Sequence, residues 1–208
     1  MGKYQRFILR MCIGLLLFGL PVSAFSADKV TLQLIWKNQF QFAGYYVAKE
    51  RGFYDDAGLD VTIKEYEFGM DVTADVVSQK ADFGVGRSSL ILERMEGKPV
   101  FLLSAIFQHS PFMLLAKKRA DLKEVADLKG KRIMVIDDVG GMASLSAMLT
   151  GYGIKPDDYI SQKHTFSIDD LISGNTDAIA AYISNEPYHM QKRGVDYTIF
   201  APKDHGFD

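Results

Sequence analysis

VTLQLIWKNQFQFAGYYVAKERGFYDDAGLDV, residues 30–61, contains a strand, a loop, a helix and a second strand in one uninterrupted run. Alternating apolar positions over residues 30–36 predict the first strand. Phe42, Tyr45, Tyr46 and Lys49 recur at helical spacing, Gly52 is placed to stop that helix, and residues 59–66 predict the second strand. In an open α/β sheet, the crevice beyond the carboxyl ends of the strands receives ligands. Trp36, Asn38, Gln39 and Gln41 stand just there, with Phe42 and Tyr45 a turn further on. One indole among several amides suits a flat, polar heterocycle. The same residues also suit an ordinary core tryptophan beside a solvated loop, and the pattern leaves both open.

Strand and helix patterns go on alternating to the end of the chain. Helices are predicted over residues 70–80, 88–96, 142–151, 167–173 and 187–193, with Ser167 as an N-cap and Asp170 at the third helical position. Strands are predicted over 83–85 (short and buried), 100–107 (long and apolar), 112–117, 132–136, 162–166, 178–182 and 197–200. Residues 121–130 read as a polar connector and 152–158 as a turn. Such alternation with short connections predicts an α/β protein built on parallel sheets. Punctuation near residues 108–131 divides it into a first lobe over 27–108 and a second over 109–200; one doubly wound domain is the alternative.

Lys3, Arg6 and Arg10 precede an apolar run over residues 11–18 and small residues at 22–26, the layout of a cleaved export signal spanning 1–26. The run is short for a membrane span of ~20 residues. The only cysteine, Cys12, lies inside that segment, so the mature chain has no disulfide, thiolate nucleophile or cysteine-ligated metal. Removing the three leader bases leaves 21 basic residues against 26 acidic, a net charge of −5. No basic run survives, so nucleic acid is not an expected partner. The expected product is a periplasmic monomer of about 180 residues, enough for two small lobes.

Trp36-Lys37-Asn38, Ala43-Gly44-Tyr45-Tyr46-Val47-Ala48, Arg51-Gly52-Phe53-Tyr54, Ala57-Gly58-Leu59-Asp60-Val61 and Asp127-Leu128-Lys129-Gly130-Lys131-Arg132-Ile133 follow one another in an order and spacing that is fairly specific. Together they resemble the pyrimidine- and sulfonate-type periplasmic solute-binding proteins, a family that also includes the fungal thiamine pyrimidine synthases. Phe107-Gln108-His109-Ser110-Pro111 and Ser184-Asn185-Glu186-Pro187-Tyr188 resemble a subgroup of soluble receptors and extracytoplasmic sensor domains. The resemblance covers residues 29–208. It implies a type II binding-protein fold: two α/β lobes joined by crossover strands, with ligand held between them. It also implies that residues 201–208 begin a return crossover to the first lobe, most of which lies beyond the family's equivalent of Asp208. The first lobe is therefore expected to lack part of its packing surface and to have lowered stability.

Two glycine turns, one at Gly69 to Asp71 and one at Gly140, Gly141 and Met142, open predicted helices whose unpaired N–H groups can hold a polar or anionic group, or simply cap a turn. Arg87 can meet a carboxylate in fork geometry or sit exposed, and Ser88 and Ser89 can cap a helix or offer hydroxyls to a ligand. Glu186, with Asn185, can accept from ring amino groups or favour the helix dipole. His109 falls where the resemblance places a hinge, while His164, His189 and His205 show no metal-ligand spacing. The expectation is a binding protein, with neither catalytic residues nor a resident cofactor, that captures a small polar ring compound, a thiamine-related pyrimidine first, for an ABC permease or a membrane signalling protein. The alternative is hydroxymethylpyrimidine phosphate synthesis. The synthases consume a histidine and hold pyridoxal phosphate on a lysine after the third strand, but residues 84–90 here contain neither.

Overall fold

The computed structural model describes residues 26–138 and 140–207; the expected leader lies, but for Ser26, outside them. β1 (Asp28–Gln33) is followed by a short 3-10 turn, Phe40–Phe42, and then by helices α1 (Ala43–Glu50) and α2 (Phe53–Asp56). Gly52 ends the first helix because its φ of 72° lies in the left-handed region open to glycine. β2 (Leu59–Lys64), α3 (Val72–Val77), β3 (Phe83–Gly84) and α4 (Leu90–Met95) complete the first lobe. Its sheet has the order β2-β1-β3 and is wholly parallel, as the alternating pattern predicts.

The second lobe contains β4 (Phe112–Lys117), β5 (Arg132–Val135), α5 (Ala143–Gly151), β6 (Ile160–Lys163), α6 (Ile168–Ser173), β7 (Ala178–Tyr182), α7 (Glu186–Lys192) and β8 (Tyr197–Phe200). Strand order is β6-β5-β7-β4-β8. This sheet is mixed rather than parallel, because β4 runs antiparallel to both β7 and β8. The helical pattern between strands cannot reveal that reversal, since β4 is reached from the other lobe and not through a helix of its own.

Period-two alternation distributes the second core over two faces. Phe112, Leu114 and Ala116 of β4 join Ala178 and Ala180 of β7 beneath Leu145, Met148 and Leu149 of α5. Met113 and Leu115 point the other way, onto Leu171 of α6 and Met190 of α7. Each fully buried leucine is worth about 2 kcal/mol relative to exposure. The polar connector contributes too, because Leu122, Val125 and Leu128 are fully buried. The first lobe has a smaller buried cluster: Leu32, Leu34, Phe42 and Val61.

Three expectations change here. Residues 100–107 form no strand, and Phe101, Leu102 and Leu103 are 73–76% exposed. Among the described residues nothing pairs with this run, so its hydrophobicity has no sheet to enter. Phe83, expected on a buried strand, is 44% exposed at the sheet edge. β6 ends at Lys163, leaving His164 to Phe166 in a loop instead of a strand. Phe166 there has φ = 61°, a value incompatible with continuing a strand.

Candidate functional site

The carboxyl ends of the parallel strands of both lobes face each other. On one side the loop after β1 supplies Trp36 and the loop after β2 supplies Tyr66 and Phe68. Trp36 stacks on Tyr66 with ring centroids 5.6 Å apart and planes 20° from parallel, and meets Phe68 edge-on at 5.5 Å. Phe166, from the loop after β6, reaches across from the second lobe to 4.8 Å from Trp36 and 5.9 Å from Phe68. Phe68 is 67% and Phe166 45% exposed, so this apolar cluster opens to water instead of closing into a core.

A polar contact also joins the two lobes. Arg87, in the loop after β3, donates from Nε to the Tyr182 hydroxyl at 3.2 Å and from Nη1 to Asp138 Oδ2 at 3.3 Å. Its guanidinium also lies 5.9 Å from the Phe112 ring centroid. Asp138 in turn accepts from the Gly141 N–H at 2.9 Å, which fixes the turn before α5. The Ser88 hydroxyl donates to the Gly140 carbonyl at 3.1 Å. Arg87, Ser88, Gly140 and Gly141 are thus brought together, yet they bond to each other and not to a shared open surface.

Gly140 packs closely against Ser89 of the first lobe. A Cβ added there would lie 2.6 Å from Ser89 Cα and 2.7 Å from Ser89 Cβ, against backbone that cannot swing aside. Gly140→Ala is therefore expected to hold the lobes apart without touching the aromatic wall. Small-angle scattering should show a larger radius of gyration; an unchanged radius would mean that the lobes do not rest on this contact.

Other expected site residues are committed elsewhere. Phe42 is 3% exposed in the core of the first lobe, so it offers no ring face to a guest. Tyr45 packs against the same core beside Tyr54, and burial raises its phenol pKa. The Asn38 side chain accepts from the Tyr46 hydroxyl, and its N–H donates to Glu65 Oε1 at 2.6 Å. Asp71 caps α3, accepting from the Ala74 N–H at 2.9 Å. Met142 is buried against α5 and β5 in the second core. Ser89 precedes α4 without a side-chain cap bond. Glu186 takes the Tyr182 N–H at 2.8 Å on one oxygen and the Asn185 amide at 2.8 Å on the other. That carboxylate ties the end of β7 to the start of α7.

Tyr66, Phe68 and Phe166 were not singled out from the sequence. Each follows an observed strand end by two to four residues, but the sequence pattern extends both strands over Tyr66 and Phe166, which hides that position. In the loops after β1 and β7, buried Gln41 Oε1 and Ser184 Oγ have no partner, which is uncommon for enclosed polar atoms. Two cavities lie away from the aromatic wall. One of about 370 Å³ is lined by Lys118, Gln191 and Tyr197, and one of about 210 Å³ by Phe107, His109, Pro111, Ile183 and Lys203.

Comparison with known proteins puts this geometry in context. The riboflavin-binding protein RibY of Chloroflexus aurantiacus is 29% identical over 183 residues, which cover 85% of this chain and 52% of RibY. The 4-amino-5-hydroxymethyl-2-methylpyrimidine phosphate synthase THI13 of Saccharomyces cerevisiae is 27% identical over 157 residues, 74% of this chain and 46% of the synthase. The chain spans about half the length of the curated relatives it matches. Among solved structures, the periplasmic aliphatic sulphonate binding protein SsuA from Escherichia coli superposes with a TM-score of 0.59 at 16% identity, over 85% of this chain and 58% of SsuA. That likeness is one of fold, the two-lobed type II architecture of periplasmic binding proteins. With residues 39–208 matching the profile described as NMT1/THI5 like, the chain belongs to the NMT1/THI5-like family.

Proposed function

We propose that this chain captures a flat, polar, uncharged ring between its two lobes, as part of an extracytoplasmic solute-binding protein. The aromatic wall carries the reading: Trp36, backed by Tyr66 and Phe68, opposes Phe166 across the cleft. A ring between Trp36 and Phe166 needs about 7 Å, twice the ~3.5 Å carbon contact distance. The 4.8 Å between the two centroids must therefore widen as the lobes part to admit the guest. In this reading a first lobe over 27–108 and a second over 109–200 hinge about residues 107–111, which line the smaller cavity together with Ala201 and Lys203.

Arg87 bears on the ligand's charge. Its guanidinium already has the Asp138 carboxylate, so a sulfonate or carboxylate has to displace that partner, whereas a neutral ring does not. Pyrimidines of the thiamine type and the isoalloxazine of riboflavin, the ligand in the name of RibY, both fit this description. Export through a leader at residues 1–26, a monomeric state and delivery to an ABC permease or a membrane signalling domain complete the proposal. Pyrimidine synthesis with pyridoxal phosphate fits poorly, because the loop after β3 offers Arg87 and two serines but no amine for a Schiff base.

Calorimetric or thermal-shift titration with riboflavin, aminopyrimidines and alkanesulfonates tests this reading. Saturable stabilisation by a ring compound is the expected result. Stabilisation by alkanesulfonates alone overturns it, as does a new pyrimidine product after incubation with pyridoxal phosphate and iron.

A further inference from the structure

His164 occupies an unusual position behind the aromatic wall. Its Nδ1 accepts from the backbone N–H of Phe166 at 2.8 Å, and its Nε2 lies 2.7 Å from the Ala180 carbonyl of β7. A carbonyl can only accept, so Nε2 carries the proton and the ring is the neutral tautomer with both nitrogens in use. The imidazole also lies 4.7 Å from the Phe166 ring, 30° from parallel. Phe166 itself has φ = 61°, a left-handed conformation disfavoured for a residue with a Cβ and kept only where neighbours enforce it. The enforcing neighbour is visible here: the imidazole, anchored on β7, pins the Phe166 amide.

We propose that His164 is a positioning residue for ring capture, holding Phe166 in its left-handed conformation so that the phenyl ring faces Trp36, and releasing it on protonation. The inference rests on the ring-binding reading above and adds a regulation to it. Protonation places a hydrogen on Nδ1, which then confronts the Phe166 N–H as a second donor. The bond that holds the loop is lost, and the backbone is free to leave the left-handed region. Glu186 of α7 and Asp170 of α6 are the carboxylates facing the imidazole, and both favour its cation; burial opposes them and is the larger effect, so the pKa falls below its ordinary value. Asp170 accepts from the Thr165 hydroxyl and the Asn175 amide, which holds its own pKa below the usual range and keeps it ionised through the window of His164. The neutral, pinned form therefore prevails at neutral pH and is lost on acidification.

Trp36 is the chain's only tryptophan, so its emission reports the Phe166 contact directly. Fluorescence of the whole chain, with no compound added, is recorded from pH 8 to pH 5. The wild type is expected to show a transition with its midpoint below 6.5. His164→Asn keeps an acceptor two residues before the Phe166 amide but cannot titrate, and should give wild-type neutral emission at every pH. His164→Ala should resemble acidified wild type throughout. If the asparagine variant retains the transition, or the alanine variant emits like neutral wild type, the assignment is overturned. Riboflavin affinity measured alongside separates the two claims. A fall of about tenfold between pH 7 and pH 5 in wild type, absent in His164→Asn, supports both. A fluorescence transition without riboflavin or aminopyrimidine binding at either pH supports the positioning role and overturns the ring-binding reading.

Discussion

Trp36→Ala is expected to weaken binding of a ring ligand by ten- to a hundredfold at neutral pH. Stacking of a planar base on an aromatic side chain contributes ~1–3 kcal/mol by alanine substitution, and each 1.4 kcal/mol is about tenfold in affinity. The indole is the centre of the wall, touching Tyr66, Phe68 and Phe166 at once, so its removal also loosens three neighbours. Phe166→Ala should cost less, because that ring reaches in from a loop and is nearly half exposed. If the guest lies between the two rings, the double variant should fall short of the sum of the single losses, since the residues share one partner. Isothermal titration of the four proteins measures this. Unchanged affinity in Trp36→Ala would remove the indole from the site. A loss confined to Arg87→Ala would instead mark an anion as the guest.

The largest effect on stability is expected at Asp177, far from the cleft. Its carboxylate accepts from the Arg132 N–H at 2.9 Å, from Arg132 Nε at 3.0 Å and from Arg119 Nη1 at 2.9 Å, and its side chain is only 10% exposed. The Asp177 N–H donates back to the Arg132 carbonyl at 3.0 Å. This exchange starts the β5–β7 pairing, which continues through just Ile133↔Ala178 and Met134↔Ile179. Asp177→Ala removes the acceptor of the Arg132 N–H and the carboxylate shared by two guanidiniums, although Arg119 keeps Asp121 and Arg132 keeps the Gly174 and Asn175 carbonyls; the loss is about 1–3 kcal/mol at pH 7.

The same contacts hold the Asp177 carboxyl well below the usual carboxylate range, against the burial that would raise it. A depressed native pKa means the unfolded chain takes up protons first as pH falls. The stabilisation is therefore complete above the ordinary carboxylate pKa of about 3.9 and drains away below it. Urea unfolding should show a gap between wild type and Asp177→Asn that is widest at pH 7 and narrows towards pH 3. A gap that stays constant with pH would place the contribution in packing and not in charge.

Much of this molecule is legible from local pattern. Gly52, the helical spacing of Phe42 to Lys49 and the alternation in β1 place the first strand–helix–strand unit because they depend on neighbours only a few residues away. Ser167 does cap its helix, accepting from the Asp169 N–H, since a cap is also a local arrangement. Trp36 was singled out by its place after a strand, and it does stand at the meeting of the lobes.

Partnership across the chain is another matter. Phe42 and Trp36 are both aromatic residues flanking one loop, yet one is sealed in the core and the other faces Phe166, 130 residues further on. The exposed run at 100–107 has the composition of a core strand but meets no partner among the described residues. His164 and Phe166 read as strand until the chain folds, when an acceptor on the imidazole and a carbonyl on β7 hold them in a loop. Sequence by itself determined the alternating elements, the parallel first sheet and the family, because these follow from short-range periodicity and ordered motifs. Only the tertiary structure decided which aromatic rings face one another, where the charge of Arg87 is neutralised and what the imidazole restrains, because each depends on atoms brought together from distant positions along the chain.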